Sequence, residues 1–217
     1  MDDKEFEKLL FSCQEIASGF PQGLIFIGGI AVYLHVVNLE ELRALAEFTH
    51  DADFYISLAD MADLRDLEEV TANRRLNKHQ LIKGGFEFDI YTERHSALIV
   101  PYEQVEANSV CYDRLRVANL SHLLILKLEA YRDRQKSSKG QKDAKDLIRI
   151  VLAAQALPDL FSIEDSVAYL SEEHIELLES ICRGPEFLSL TKGNSKEAKD
   201  LRKKFQKTSF AMRDAYG

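Results

Sequence analysis

Apolar side chains recur at Phe6, Leu9, Leu10, Cys13 and Ile16, the spacing of an amphipathic helix over residues 4–18. Pro21 and Gly23 punctuate it. Leu24-Ile25-Phe26-Ile27 is a short apolar run, β-branched and aromatic, that predicts a buried strand ending in Gly28-Gly29. A helical pattern follows from about Ile30 to near Asn38. Asp51 to Leu58 alternates, with Ala52, Phe54, Ile56 and Leu58 forming an apolar face, so a core-anchored strand is expected. Residues 59–70 return to helix, with Asp60, Asp63, Asp66, Glu68 and Glu69 expected on its solvated surface.

Residues 75–91 predict two strands joined at Gly84-Gly85, a favourable hairpin turn. In the second strand Phe86, Phe88 and Ile90 share one face while Glu87, Asp89 and Tyr91 share the other. Further short strands are expected in 98–100 and 105–118. Beyond Leu120 the pattern is helical, over about 120–134, 141–155, 164–182 and 195–213, with joints at Pro158 and Gly184-Pro185. Gln135 to Gln141 is expected to be a flexible basic loop. Strands early and helices late predict an α+β fold, a catalytic domain over 1–118 and a C-terminal helical region over 119–217.

Composition narrows the class. At 217 residues with 46% hydrophobic and 29% charged side chains, the chain can bury a sizeable core. No apolar run approaches the roughly 20 residues of a membrane span, and the acidic start, Met1 to Glu5, lacks the marks of a secretory signal. Cys13, Cys111 and Cys182 are scattered, which argues against a disulfide framework or zinc site and predicts small core residues in a reducing cytoplasm. The net charge of −8 is uneven. Residues 1–70 carry 15 acidic and 4 basic side chains, while 192–213 carry 8 basic against 2 acidic and 132–149 carry 7 against 3. Such basic stretches are either solvated helix faces or a surface for a polyanion.

Three features carry candidate chemistry. Gly28-Gly29 closes a buried strand and leads into a helix, where backbone can approach a ligand and helix N–H groups can meet a phosphate. Thr49-His50-Asp51-Ala52-Asp53 enters the next strand, and Asp51 and Asp53, two residues apart, face the same side about 7 Å apart at Cα. Carboxylates so placed repel unless a cation lies between them, and Mg²⁺ suits oxygen donors of this kind. Asp89, 36 positions after Asp53, adds a third strand carboxylate. Each alone has a bland reading, a sterically required glycine or an exposed acidic strand position; their order is what carries the chemistry. Three carboxylates holding one or two Mg²⁺ ions would clamp a triphosphate and activate an attacking hydroxyl. No GxxxxGK[ST], GxSxG or HExxH motif is present, and the six histidines, at 35, 50, 79, 95, 122 and 174, show no ligand spacing.

In this order the motifs resemble those of the DNA polymerase beta-like nucleotidyltransferase superfamily: Ile27-Gly28-Gly29, then Asp51-Ala52-Asp53-Phe54, then Phe88-Asp89-Ile90. Within it the chain looks most like the abortive-infection nucleotidyltransferases, toxins of type IV toxin–antitoxin pairs. The added likeness lies in the helix Leu124 to Arg134, which contains Lys127, Arg132 and Asp133, and in Lys142-Asp143-Ala144-Lys145-Asp146-Leu147. The resemblance spans roughly residues 24–150. It departs from the pattern at Gly29, where a serine is common, at His50, and at Glu87, an additional acid.

The resemblance implies a nucleotidyltransferase-type mixed sheet flanked by helices. It also implies Asp51, Asp53 and Asp89 as catalytic metal ligands, and Gly28, Gly29, Thr49, Lys127 and Arg132 as the nucleotide-binding set. Lys127 lies in an apolar run, where a lysine either pairs with an acid or neutralises phosphate; Asp143 and Asp146 are expected to pair with nearby Lys or Arg. The implied activity is transfer of a nucleoside monophosphate from an NTP, ATP among them, to a tRNA or protein hydroxyl, as a toxin-like growth regulator with a cognate antitoxin. A small-molecule adenylyltransferase and a non-catalytic nucleotide-binding module are the alternatives. No membrane partner is expected.

Overall fold

Asp2 opens the first helix by accepting a 2.9 Å hydrogen bond at Oδ1 from the Glu5 backbone N–H, and α1 runs Asp3–Gly19 with Phe6, Leu9, Cys13 and Ile16 buried. This computed structural model describes residues 1–94 and 98–217; His95 lies outside the described residues. β1 (Leu24–Phe26) leads into α2 (Gly29–Val37), followed by β2 (Asp51–Ile56), α3 (Leu58–Leu67), β3 (Thr71–Asn73), β4 (Lys78–Lys83) and β5 (Phe86–Thr92). Then come α4 (Tyr102–Ala107), β6 (Val110–Tyr112) and β7 (Leu115–Val117). Helices complete the chain: α5 (Leu120–Arg134), α6 (Ser138–Ala156), α7 (Ile163–Val167), α8 (Glu172–Arg183), α9 (Glu186–Leu190) and α10 (Ser195–Tyr216).

The described strands form one seven-stranded sheet, in the order β3-β4-β5-β2-β1-β7-β6. The β2–β5 and β1–β7 pairs are parallel and the others antiparallel. The sheet is therefore mixed and flanked by helices, the α+β arrangement that the order of elements predicts. The Gly84-Gly85 turn has φ of 62° and 86°, the left-handed backbone that glycine adopts without steric cost, and it pairs Lys83 with Phe86.

The chain divides into two compact units, residues 1–34 with 47–119, and 35–46 with 120–217. In the first, Phe26, Phe54 and Phe88 lie on one side of neighbouring strands, with ring centroids 6.0 and 6.4 Å apart, and each is fully buried. The second unit is helical. Leu123, Leu124 and Leu128 of α5 and Leu147, Ile148 and Val151 of α6 are buried, and Phe187 meets Phe205 edge-on at 5.7 Å. No helix among the described residues is long and apolar enough to cross a membrane.

Several expectations are corrected. Residues 98–100 form no strand, and α4 occupies the start of the 105–118 segment: Pro101 supplies a residue that cannot continue a ladder, and Tyr102 and Val105 bury at helical i, i+3 spacing. The expected basic loop is mostly helix, because the Ser137 hydroxyl accepts from the Gly140 N–H at 3.1 Å and caps α6. The helix expected over 164–182 is divided into α7 and α8 where Ser171 and His174 form a capping box. β3 and α9 are too short to show a period in the sequence. Cys111 is exposed, at odds with a core role, whereas Cys13 and Cys182 are buried. Asp60 of α3 accepts from the Ser57 hydroxyl at 2.9 Å, and Glu68, just past the helix end, pairs with Lys83, so neither is merely solvated.

Candidate active site

The hairpin turn and the parallel β2–β5 pairing together decide which polar side chains meet. In that register Asp51 lies opposite Glu87 and Asp53 opposite Asp89. Across the other edge of β5, Gln80 of β4 is the partner of Asp89. Register partners share a face, so Asp51, Asp53, Glu87, Asp89, Lys78 and Gln80 line one side of the sheet while the phenylalanine side faces the core. Asp51, Asp53 and Asp89 are half-buried and Glu87 is exposed. Along the same face β2 changes character: Tyr55 is fully buried edge-on to Tyr102 at 5.3 Å, and the Tyr102 hydroxyl donates to the Gly23 carbonyl at 2.8 Å. α4 thus covers one end of this face and leaves the carboxylates at the other.

The glycine pair lies against the first two carboxylates. The Ile27 N–H donates to the Asp53 carbonyl at 3.0 Å. A Cβ added to Gly28 would fall 1.8 Å from Asp53 Oδ2, and one added to Gly29 would fall 2.7 Å from Thr49 Oγ1. Any side chain at Gly28 would therefore displace the Asp53 carboxylate. Thr49, itself buried, donates from Oγ1 to Asp51 Oδ1 at 2.7 Å, which fixes that carboxylate's rotation. Gly28, Gly29, Thr49, Asp51, Asp53 and Asp89 are thereby gathered around the start of α2 and the polar edge of β2 and β5.

Asp89 has partners that strand periodicity did not single out. Lys78 forms an ion pair with its Oδ2, and Gln80 Nε2 donates to its Oδ1 at 2.9 Å and also to Glu87. Both could have been found by counting back from Gly84-Gly85, since a two-residue turn places residue 80 opposite 89. Among the described residues no three His, Cys, Asp or Glu side chains close on a single ion position as they stand. The donor set is nonetheless all carboxylate oxygen, which fits a hard divalent cation, and Lys78 already places a positive charge on Asp89.

Lys127 and Arg132 belong to the second unit. Lys127 Nζ lies 2.9 Å from Asp146 Oδ2 and 3.5 Å from Asp143 Oδ1. Arg134 Nε reaches Asp143 Oδ2 at 2.5 Å, and Arg149 donates to Asp146 Oδ1 at 2.8 Å and to the Leu45 carbonyl at 2.7 Å. Burial works to raise the Asp146 carboxyl, but the charges of Lys127 and Arg149 overcome it and hold it below the usual carboxylate range. Arg132 lies among Glu129, Asp133 and Glu173, at 2.5, 3.8 and 3.9 Å. Asp143 and Asp146 thus pair with Lys and Arg as expected. Of the 132–149 stretch, Arg132, Arg134 and Arg149 are engaged with acids, while Lys136 and Lys139 are exposed. On α10 and just before it, Lys192, Lys196, Lys199, Lys203, Lys204 and Lys207 are exposed.

The fold is that of nucleotidyltransferase-like proteins. An antigenic nucleotidyltransferase-like protein from Paracoccidioides brasiliensis shares it with a TM-score of 0.52 at 15% identity, over 89% of this chain and 94% of that one. The Megavirus polyadenylate synthase matches with 0.51 at 14% identity over 82% of this chain and 40% of its own, much larger, length. A protein from H. pylori with a provisional nucleotidyltransferase designation matches with 0.51 at 12% identity over 99% of both chains. Neither a family model nor a curated protein sequence matches this chain.

Proposed function

We propose that the chain is a Mg²⁺-dependent nucleotidyltransferase that moves a nucleoside monophosphate from an NTP to an acceptor hydroxyl. The observation that carries this is the direct pairing of Asp53 with Asp89 across β2 and β5, with Asp51 one pleat along and the Gly28-Gly29 turn packed against them. Asp51, Asp53 and Asp89 are the residues that would hold the metal. Bound there, Mg²⁺ neutralises triphosphate charge and polarises the reacting phosphorus. Gly28 and Gly29 leave backbone bare at the start of the nine-residue α2, whose first N–H groups have no partner within the helix and suit phosphate oxygens. The acceptor oxygen bonds to the α-phosphorus, the bond to the β-phosphate oxygen breaks, and pyrophosphate leaves. Asp89 is assigned the hydroxyl proton.

The resemblance alone supports Lys127 and Arg132 as phosphate cations. It also supports the toxin-like role with an antitoxin partner; the cytoplasmic setting rests on the scattered cysteines and the acidic N-terminal residues. For the acceptor we favour tRNA or protein over a small molecule, because the exposed lysines of α10 offer an extended basic face that a small acceptor does not need. The test incubates the protein with α-labelled NTPs, Mg²⁺ and total cellular RNA or protein. Label is expected on a macromolecule. Asp89→Ala should still bind NTP but transfer it about 10²–10⁴ times more slowly, the usual loss of a general base. Equal losses of affinity and turnover would place Asp89 in nucleotide binding instead, and label confined to a small molecule would overturn the macromolecular acceptor.

A further inference from the structure

Asp53 and Asp89 stand directly opposite each other on neighbouring strands, an arrangement that like charges destabilise. Lys78 reaches diagonally across from β4 to the Asp89 carboxylate, and the two side chains are only 11% and 13% exposed, so solvent and salt screen the pair weakly. A polar ladder fixes the carboxylate's other oxygen. Asn73 Nδ2 donates to Gln80 Oε1 at 3.1 Å, which leaves the Gln80 amide NH₂ to face Asp89 Oδ1 at 2.9 Å and Glu87. Gln80 is the register partner of Asp89 and Asn73 reaches it diagonally from β3, so the orientation of Asp89 is set from the sheet edge inward.

Lys78 has no part in the chemistry assigned above, yet its ammonium rests on one of the oxygens a metal would take. We infer that Lys78 is a positioning residue: an internal cation that holds Asp89 in place beside Asp53 and competes with a divalent ion for its carboxylate. This rests on the assignment of Asp51, Asp53 and Asp89 as metal ligands. Metal entry then requires the ammonium to withdraw, so the metal-free site stays ordered at the expense of metal affinity.

The test titrates Mn²⁺ alone into wild type, Lys78→Met, Lys78→Gln, Lys78→Arg and Asp53→Asn, reading affinity by calorimetry and free Mn²⁺ by electron paramagnetic resonance. Lys78→Met and Lys78→Gln should bind Mn²⁺ about tenfold more tightly than wild type, since a like charge and a competing ion pair are both removed. Lys78→Arg should stay near wild type. Metal-free Lys78→Met should melt below wild type and gain more on Mn²⁺ addition, because the cation restores the charge that was deleted. The glutamine variant, which keeps a hydrogen-bond donor toward Asp89, serves where the methionine variant does not fold. Unchanged or weaker Mn²⁺ binding in the neutral variants, with wild type binding normally, overturns the role of Lys78. Absence of binding in every variant, or full binding by Asp53→Asn, overturns the metal assignment and this inference with it.

Discussion

Two groups of charged side chains, one in each unit, are built on opposite terms. On the sheet face, β2, β4 and β5 bring four carboxylates and one lysine together, partly open to solvent. In the helical unit, Asp143 and Asp146 meet Lys127, Arg134 and Arg149, and four of these five residues are 8% exposed or less. Buried charge persists only when it is paired and hydrogen-bonded, and the helical cluster meets that condition from its own side chains. The sheet face gathers its four carboxylates with one strand lysine at a half-buried, accessible place. An accessible group rich in carboxylates suits a cation-dependent site, whereas a buried group of paired charges is what a helix junction tolerates.

That contrast is broken most directly by exchanging carboxylate for amide in each group. Asp53→Asn should reduce nucleotide transfer by more than about 10³ while leaving the melting temperature unchanged or slightly raised, because it removes a ligand and also relieves the repulsion with Asp89. A large fall in stability would show that Asp53 is structural. Asp146→Asn should do the reverse, costing about 3–5 kcal/mol of stability by leaving buried cations underpaired. Its pH dependence follows from the depressed Asp146 carboxyl. A group whose pKa is lowered by folding contributes stability above its unfolded value of about 3.9 and loses it as pH falls through the folded value. Denaturation of wild type and Asp146→Asn should therefore differ fully at pH 7, and the gap should begin to close only as pH falls below about 4; a gap that stays constant on further acidification would dismiss the ion pairs as its cause. The smallest effect belongs to Thr49→Val, which keeps the buried shape and deletes one hydrogen bond to Asp51. A loss of about 1.5 kcal/mol, or about tenfold in transfer, is expected in paired melting and transfer assays.

Much of the site was legible because strand periodicity is strict. Asp51 and Asp53 had to share a face, and Asp89 had to oppose Phe88, whatever the sheet's topology. The glycine pair at the end of a buried run and the Gly84-Gly85 hairpin were equally local signals. The misreadings came where apolar runs were short or helix starts were set by a single cap: Tyr102 and Val105 in α4, Ser137 before α6, Ser171 before α8.

From local sequence alone came the elements, the α+β class and the polar face of each strand, because side-chain direction within one strand or helix depends on spacing and backbone sterics. Which carboxylates stand together was not in that information. Asp53 and Asp89 became neighbours only through the parallel β2–β5 register, and that register forms between segments 36 residues apart. Lys78 reached Asp89 through the antiparallel hairpin, and Lys127 reached Asp146 through the packing of α5 on α6. A side chain's direction is decided within a few residues of chain, whereas its partner, and with it the balance of charge, is decided by which elements pack together.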